Sequence, residues 1–431
     1  MHYAIIGNGV AGVTAAFTLR SRDPQANITL ISGESDYFFS RTALMYAYLD
    51  RMNPRDLEPY ERSTYDRLRI SRRRGWVRDL NADARLLHLE SGEPVRYDKL
   101  LLTLGSTPAR VPWPGLDAVR EGAVHFVQLD DLAECERLTP TTKQAVVVGG
   151  GLIGVELAEC LVHHGVSVDF LIRDEWYWPS ALNQEEGALV ERHIRRHGVN
   201  LRLREEVTRI EAGPNGRVSA AVTSQGNTLA CQMLGICIGV KPAVDWLRPL
   251  PHAPAIGRGV QIASDFRTSV DGVWAAGDCA ELSIDGKPVV EQIWYSAKRH
   301  GELAALSMLG DAVHYTPPLF YNSAKFFEME YTTVGRVNNL PASARSFFHR
   351  LPGHEASVRI VAGEGGAVTG FNMLGSRWNH RVLESWIAER RTMEFAVAHL
   401  AAAQFDVEFG RAPLASIRAA FGAQSAGSTA A

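Results

Sequence analysis

At 431 residues, 46% apolar and 22% charged, the chain has an ordinary globular composition and length for about three domains at roughly 150 residues each. That excludes a wholly disordered chain, a collagen-like repeat and a disulfide-stapled miniprotein. Forty-five Lys and Arg against 48 Asp and Glu leave a net charge of −3, so nothing global points to nucleic acid.

In chain order, Tyr3-Ala4-Ile5-Ile6 is a short β-type run. It is followed by Gly7-Asn8-Gly9-Val10-Ala11-Gly12, a helical stretch to about Arg20, and a second strand over residues 27–31. The stretch 4–19 is uncharged, but three glycines and Asn8 interrupt it and no Lys/Arg-rich segment precedes it. It therefore reads neither as a signal peptide nor as a membrane span, and the expectation is a soluble cytoplasmic protein.

The same layout returns later. Ala145-Val146-Val147-Val148 leads into Gly149-Gly150-Gly151-Leu152-Ile153-Gly154, a helix to about His164 and a strand over 166–172. Each copy is a strand, glycine turn, helix and strand, the opening unit of a doubly wound sheet. In a G-x-G-x-x-G turn the first glycine permits the tight bend and the second lets the backbone approach a pyrophosphate. The third lets helix and strand pack, while the helix N-terminus supplies N–H donors. Both copies sit between a β-run and a helix, the context such a turn requires.

An acid after the next strand is expected to accept the ribose hydroxyls. Glu34 fits in the first unit. In the second unit Arg173 follows the strand, and a guanidinium suits the 2′-phosphate of NADP, while Asp174 and Glu175 come directly after. The balance leans to NADPH, with NADH open. Trp176-Tyr177-Trp178 could cover that ribose or simply pack.

Prolines at 108, 112 and 114 and at 242, 249, 251 and 254 mark boundaries. Residues 320–373 hold short β-type runs, 378–404 read as one long helical stretch, and 423–431 as a frayed tail. The five cysteines, Cys135, Cys160, Cys231, Cys237 and Cys279, include no C-x-x-C or C-x4-C pair. They predict reduced thiols and no metal site.

Arg267-Thr268-Ser269-Val270-Asp271-Gly272-Val273-Trp274-Ala275-Ala276-Gly277-Asp278 resembles the T-x-x-x-x-[IV]-[YFW]-A-x-G-D motif of the two-dinucleotide-binding flavoproteins (the pyridine nucleotide-disulfide oxidoreductase superfamily). Leu102-Thr103-Leu104-Gly105-Ser106-Thr107-Pro108 resembles that family's connecting A-T-G-x-x-P segment. The order of the four signals matches over residues 1–310. The resemblance implies an α/β fold of two Rossmann-like domains, for FAD and NAD(P), plus an α+β C-terminal domain. It places the FAD domain at 1–115 and 250–315, the NAD(P) domain at 116–249 and the third domain at 316–431.

The resemblance also assigns residues. Gly7, Gly9, Val10, Ala11, Gly12, Glu34, Val77, Thr103, Gly105, Gly277 and Asp278 would hold FAD, and Gly149, Gly151, Leu152, Ile153, Gly154 and Arg173 would hold NAD(P). Beside the flavin, disulfide reductases carry C-x4-C and peroxidases a single Cys. Here the sequence reads Phe39-Ser40-Arg41-Thr42, with Arg41 at that position, and a guanidinium forms no mixed disulfide or sulfenic acid.

The pattern is similar instead to the Y-x-R-P-x-L-S of ferredoxin-, rubredoxin- and nitrite-reductase-type NAD(P)H reductases and of apoptosis-inducing factor. There the Arg contacts FAD phosphate. Thr42 replaces the Pro. Tyr46 stands where several members have a Lys that pairs with the Glu matching Glu156, so Glu156 and Tyr46 become the candidate catalytic residues. Gln292, Ile293 and Trp294 resemble the family's E-H-W start over the flavin. Tyr321 and Lys325 match an aromatic-bearing segment that either lies beside the isoalloxazine or serves interface packing.

By this resemblance the chain is expected to be an FAD-dependent NAD(P)H oxidoreductase without a redox disulfide, serving an electron carrier such as a ferredoxin. A small acceptor (quinone, oxygen or metal) or a redox-sensing role like that of apoptosis-inducing factor are alternatives. The basic run from Arg67 to Arg78 could dock an acidic carrier or be a solvated turn. The C-terminal segment leaves room for a homodimer.

Overall fold

The computed structural model describes residues 1–405, 408 and 413–428. The chain divides into two units. The first joins Met1–Val111, His125–Glu136 and Gly239–Pro317, and the second joins Pro112–Val124, Arg137–Ile238 and Pro318–Ala431.

In the first unit, Tyr3, Ala4, Ile5 and Ile6 are all buried. A continuous apolar run of this kind suits a parallel strand covered on both faces. Strand His2–Ile6 is flanked in parallel by Asn27–Ser32 and Lys99–Leu102, and the sheet extends to Ile70–Arg74 on one side and Val273–Ala275 on the other. The chain leaves His2–Ile6 through helix Val10–Arg22 to one neighbour, then returns on the opposite side at Lys99–Leu102. That reversal opens a crevice at the carboxyl ends of the two strands, where a doubly wound sheet binds its ligand. Helix Trp294–Leu309 packs on Val10–Arg22, and a Cβ at Gly301 would lie 2.2 Å from the Ala11 carbonyl oxygen.

The second unit repeats the arrangement. Its parallel sheet runs Asn200–Leu203, Ser167–Ile172, Gln144–Val148, Met233–Ile236, Ala123–Val124. The reversal falls between Gln144–Val148 and Met233–Ile236. The C-terminal portion is an antiparallel sheet in the order Tyr321–Phe326, Met329–Gly335, Val368–Leu374, Ser357–Ala362, Arg345–Arg350. The two Rossmann-like sheets and the α+β segment are those expected from the sequence. Among the described residues no helix is long and apolar enough to cross a membrane.

Several boundaries differ from the sequence reading. The stretch 378–404 is two helices, His380–Ala388 and Met393–His399, and a final 3₁₀ turn. Arg390 turns left-handed with φ 54°, and Thr392 caps the next helix by accepting from Phe395 N at 3.2 Å. A helix spans Leu414–Ser428, so most of the expected tail is helical, while 429–431 lie outside the described residues. Residues 239–249 belong with the first unit, because Val240–Pro242 pairs with Ser106–Pro108. Residues 125–136 join it too, through Phe126, whose ring is 5.7 Å from that of Tyr48.

The segments expected as second and third domains fall in one unit. A buried charge cluster joins them. Glu186, fully buried, receives Arg359 Nε at 2.9 Å and Asn372 Nδ2 at 2.9 Å. The same carboxylate closes the capping box of helix Gln184–Arg196 by accepting from Asn183 N. Arg359→Ala would strand that carboxylate, so we expect a loss of about 3–5 kcal/mol in urea unfolding, and a smaller loss for the apolar double variant Glu186→Leu/Arg359→Met.

Candidate functional site

The two glycine turns have matching geometry. Gly7 has φ +109°, and a Cβ there would lie 2.0 Å from Thr103 O; Gly149 has φ +116°, with Cys237 O at 2.2 Å. Only glycine tolerates both the left-handed backbone and the neighbouring strand. A Cβ on Gly12 would sit 2.0 Å from Gly7 O, and one on Gly154 would sit 2.1 Å from Gly149 O. These are the close helix–strand contacts of the third glycine. Gly9 and Gly151, by contrast, face nothing within 4 Å. Each is the N-cap of its helix, and neither helix start has a side-chain cap. The first-turn N–H groups of Val10, Ala11, Leu152 and Ile153 are thus left to an external acceptor, and an anion such as a pyrophosphate fits.

Thr103 braces the first turn from below. Its hydroxyl lies 3.0 Å from both Ile6 O and Gly7 O, so it acts through the turn backbone. Val77 is buried opposite Leu89 in a separate small sheet. Gly105 O accepts from Ala243 N, where the two interdomain segments pair.

Glu34 and Arg41, expected to serve a ribose and a phosphate separately, are paired. Arg41 Nη2 lies 2.6 Å from Glu34 Oε2 and Nη1 3.1 Å from Oε1, a bidentate fork. Arg41 also donates to Val127 O, and Leu129 N donates to Glu34 Oε1 at 3.0 Å. Glu34 is the more enclosed partner, with its side chain 14% exposed against 42% for Arg41. Thr42 is exposed, its hydroxyl 3.2 Å from that of Ser40.

Three separate motifs meet in one hydrogen-bonded line. Gln292 Nε2 donates to Ser106 Oγ at 2.8 Å, and Ser106 Oγ donates to Asp278 Oδ2 at 2.9 Å. Burial raises the Asp278 carboxyl, offset in part by Ser106, Arg41 and His300. Gly277 opens the short turn holding Asp278. Trp294 begins helix Trp294–Leu309 under Lys298, whose ammonium is 5.5 Å from the ring. Sequence reasoning missed Glu291, which accepts from Tyr315 Oη at 2.7 Å and lies 3.0 Å from His300 Nε2. Burial pushes its carboxyl up, but these hydrogen bonds outweigh it and hold the group below its ordinary value. Its position one residue before the Gln292-Ile293-Trp294 match was the available signal.

All five cysteines are buried. Cys279, closest in sequence to Asp278, receives Leu104 N at 3.3 Å, and burial pushes its thiol up to about 12. It stays a thiol at neutral pH. The nucleophilic form is the thiolate, so none is available here.

In the second unit Arg173 is exposed at its strand end, 3.9 Å from Asp174. The aromatic triplet packs: Tyr177 is fully buried against Phe170 and Phe326, Trp178 lies against Phe326 and Tyr331, and Trp176 Nε1 donates to Leu182 O. Tyr321 stacks on His380 at 3.9 Å and Lys325 pairs with Glu330 at 3.2 Å. Tyr46 is half-buried in the short helix Leu44–Tyr48 of the first unit. The basic run is mostly engaged within the chain. Arg72 pairs with Asp66 and lies over Tyr37, Arg78 pairs with Glu90, Arg73 donates to Glu93 O, and Arg69 donates to Pro24 O.

Glu156, on helix Leu152–His163, has its carboxyl pushed up to about 8, first by burial and then by Glu159. It is therefore mostly protonated at neutral pH. The folded state holds a proton that the unfolded state releases near its ordinary carboxylate value, so stability falls as pH rises from about 4.5 to about 8. Glu156→Gln removes this dependence. Because Glu156 keeps part of its surface accessible, the variant should gain about 1–2 kcal/mol on the native protein across that window, read from urea midpoints at its two ends.

Comparison with known proteins agrees with this geometry. The family model for pyridine nucleotide-disulphide oxidoreductases matches residues 1–301. The ferredoxin reductase component of chlorobenzene dioxygenase from Cupriavidus sp. (strain PS12) is 31% identical over 314 residues, 72% of this chain and 74% of that protein. The NADH-dependent phenylglyoxylate dehydrogenase subunit epsilon of Aromatoleum evansii is 28% identical over 340 residues, 77% of this chain and 79% of that one. Among solved structures, the covalent putidaredoxin reductase–putidaredoxin complex superposes with a TM-score of 0.82 at 21% identity, covering 97% of this chain and 98% of that one. With both glycine turns, the connecting segment and the Gly-Asp motif in place, the chain belongs to the pyridine nucleotide-disulphide oxidoreductase family, which binds FAD and NAD(H).

Proposed function

We propose that this flavin-dependent oxidoreductase takes hydride equivalents from NAD(P)H and delivers electrons to a separate electron-carrier protein of the ferredoxin class. The observation that carries this reading is the absence of usable sulfur. Arg41 occupies the position of the redox cysteine, and every cysteine is buried, with Cys279 held as a thiol. With no thiol to relay them, electrons leave the cofactor for an external acceptor. The ferredoxin reductase component named above supports a protein acceptor.

Bound FAD would supply hydride acceptance from nicotinamide and release of electrons singly or in pairs. The chain's own residues bind and orient. The Gly7–Gly12 turn and its open Gly9 hold a pyrophosphate against the helix N-terminus. Glu34 has lone pairs left after pairing with Arg41 and can accept ribose hydroxyls, while Arg41, the more exposed partner, supplies positive charge to phosphate. The Gln292–Ser106–Asp278 line holds an oriented carboxyl for the ribityl region. Gly149, Gly151 and Gly154 do the same work for the nicotinamide dinucleotide. Glu156, protonated at neutral pH, can donate a hydrogen bond or hold a proton without placing a negative charge there. In this reading residues 1–115 and 250–315 serve FAD, 116–249 serve NAD(P) and 316–431 form the C-terminal domain, with 125–136 and 239–249 packed in the first unit.

Anaerobic addition of NADH or NADPH should bleach the purified yellow protein, and reoxidation by a ferredoxin or rubredoxin should be fast and slow down with added salt, as charge-steered docking requires. Fast, salt-insensitive reoxidation by quinone or oxygen alone, with no carrier turned over, would refute the protein acceptor. Arg173→Ala should raise the KM for NADPH about tenfold and leave that for NADH nearly unchanged, the signature of a lost contact to the 2′-phosphate. An equal change for both nucleotides would assign Arg173 no part in nucleotide choice.

A further inference from the structure

Away from the glycine turns, the second unit brings two histidines and a glutamate together in a way the nucleotide chemistry does not use. Helix Gln184–Arg196 carries His193 in its last turn, and His197 is its C-cap. Four residues apart, the two rings lie on one helix face, with centroids 4.5 Å apart. Facing them is Glu328, in the two-residue turn between strands Tyr321–Phe326 and Met329–Gly335. Phe327 in that turn stacks on the His197 ring at 4.4 Å. One ligand atom from each of His193, His197 and Glu328 lies within 4.8 Å of the others.

The ring nitrogens turned away from this point are already committed. His193 Nδ1 is 2.5 Å from Glu355 Oε2, and Glu355 is held in turn by Arg196 at 2.7 Å. His197 Nδ1 donates to His193 O at 2.9 Å. Both rings therefore turn Nε2 towards Glu328. His193 Nε2 is buried, has no hydrogen-bond partner, and lies 3.8 Å from Glu328 Oε2; His197 Nε2 lies 2.9 Å from the same oxygen. His197 Nε2 is hydrogen-bonded to Glu328, and a cation in place of that proton would be met at one point by the carboxylate, by His197 Nε2 and by the buried, unpartnered His193 Nε2. A carboxylate on the far nitrogen of a ligand histidine is the usual outer partner that fixes such a ring for a metal, and Glu355 occupies that place on the more buried ring.

We propose that His193, His197 and Glu328 bind a divalent transition-metal ion, zinc above all. Two imidazoles and one carboxylate select zinc, nickel or copper over magnesium and calcium. Three protein ligands leave a fourth position to water. Arms of about 2.0–2.1 Å at tetrahedral angles require ligand atoms about 3.3 Å apart, so the site closes by a modest movement. Glu328, whose side chain is 72% exposed, is free to make it. The ion would clamp the end of helix Gln184–Arg196 to the hairpin turn.

The test uses the untagged full-length flavoprotein, stripped of metal by chelation and titrated with zinc chloride against a zinc-sensitive dye. One equivalent should bind with a Kd of about 10 μM or tighter, and the thermal midpoint should rise with zinc but not with magnesium. His197→Gln and Glu328→Gln, both at accessible positions, should each weaken binding at least about tenfold. A Kd weaker than about 100 μM, or equal binding by native protein and both variants, would overturn the proposal. Zinc-edge X-ray absorption of the native complex reads the site independently of any variant: nitrogen and oxygen ligands support it, and sulfur ligation excludes it.

Discussion

The close approach of helix to strand at the two glycine turns is the constraint on which everything else depends. Helix Val10–Arg22 sits so low on its sheet that a single methyl on Gly12 would reach within 2.0 Å of Gly7 O, and helix Leu152–His163 is equally low at Gly154. Because the helices are seated there, their uncapped N-termini open at the carboxyl ends of the strands. That is where the sheet reverses its order and leaves a crevice. Had either third glycine carried a side chain, the helix would be displaced outward and its N–H groups would no longer converge on one anion.

Around the first turn, the polar groups are organised to a single end. The Glu34–Arg41 fork leaves the guanidinium outermost, and the Gln292–Ser106–Asp278 line ties three distant segments to one carboxyl. Sulfur is kept out of this arrangement. Cys279 is adjacent to Asp278 in the chain, yet its environment of backbone carbonyls and apolar side chains favours the neutral thiol. In the function proposed above, the polar atoms of this frame bind and orient a nucleotide, and the buried cysteines are left as neutral packing.

The second unit shows how buried charge can join what sequence reads as separate domains. Glu186 caps its own helix and at the same time receives Arg359 and Asn372 from the antiparallel sheet. Breaking such a pair is costly because it leaves one charge without water or partner, so the two segments are held as one body. The sequence reading sets the C-terminal segment apart by the change in strand pattern after residue 311 and by the family resemblance, and neither signal carries information on this contact. The long helix expected over 378–404 failed for a similar reason: helical composition continues across it, while the left-handed Arg390 and the Thr392 cap mark a break.

Sequence by itself determined the elements whose cause is local. The alternation of β-run, glycine turn and helix, the Gly-Asp motif and the lack of closely spaced cysteine pairs are all written in short continuous stretches of chain, and periodicity and backbone sterics act over that range. Tertiary structure alone decided which side chains meet. Ser106 and Asp278 are 172 positions apart, Glu186 and Arg359 173. Glu34 and Arg41 stand seven apart, but turn geometry sets their pairing. The His193-x3-His197 spacing was visible in the chain; the glutamate opposite it arrives only when the hairpin folds against the helix. Contacts between remote segments have no period to read, since they depend on the packing of whole elements.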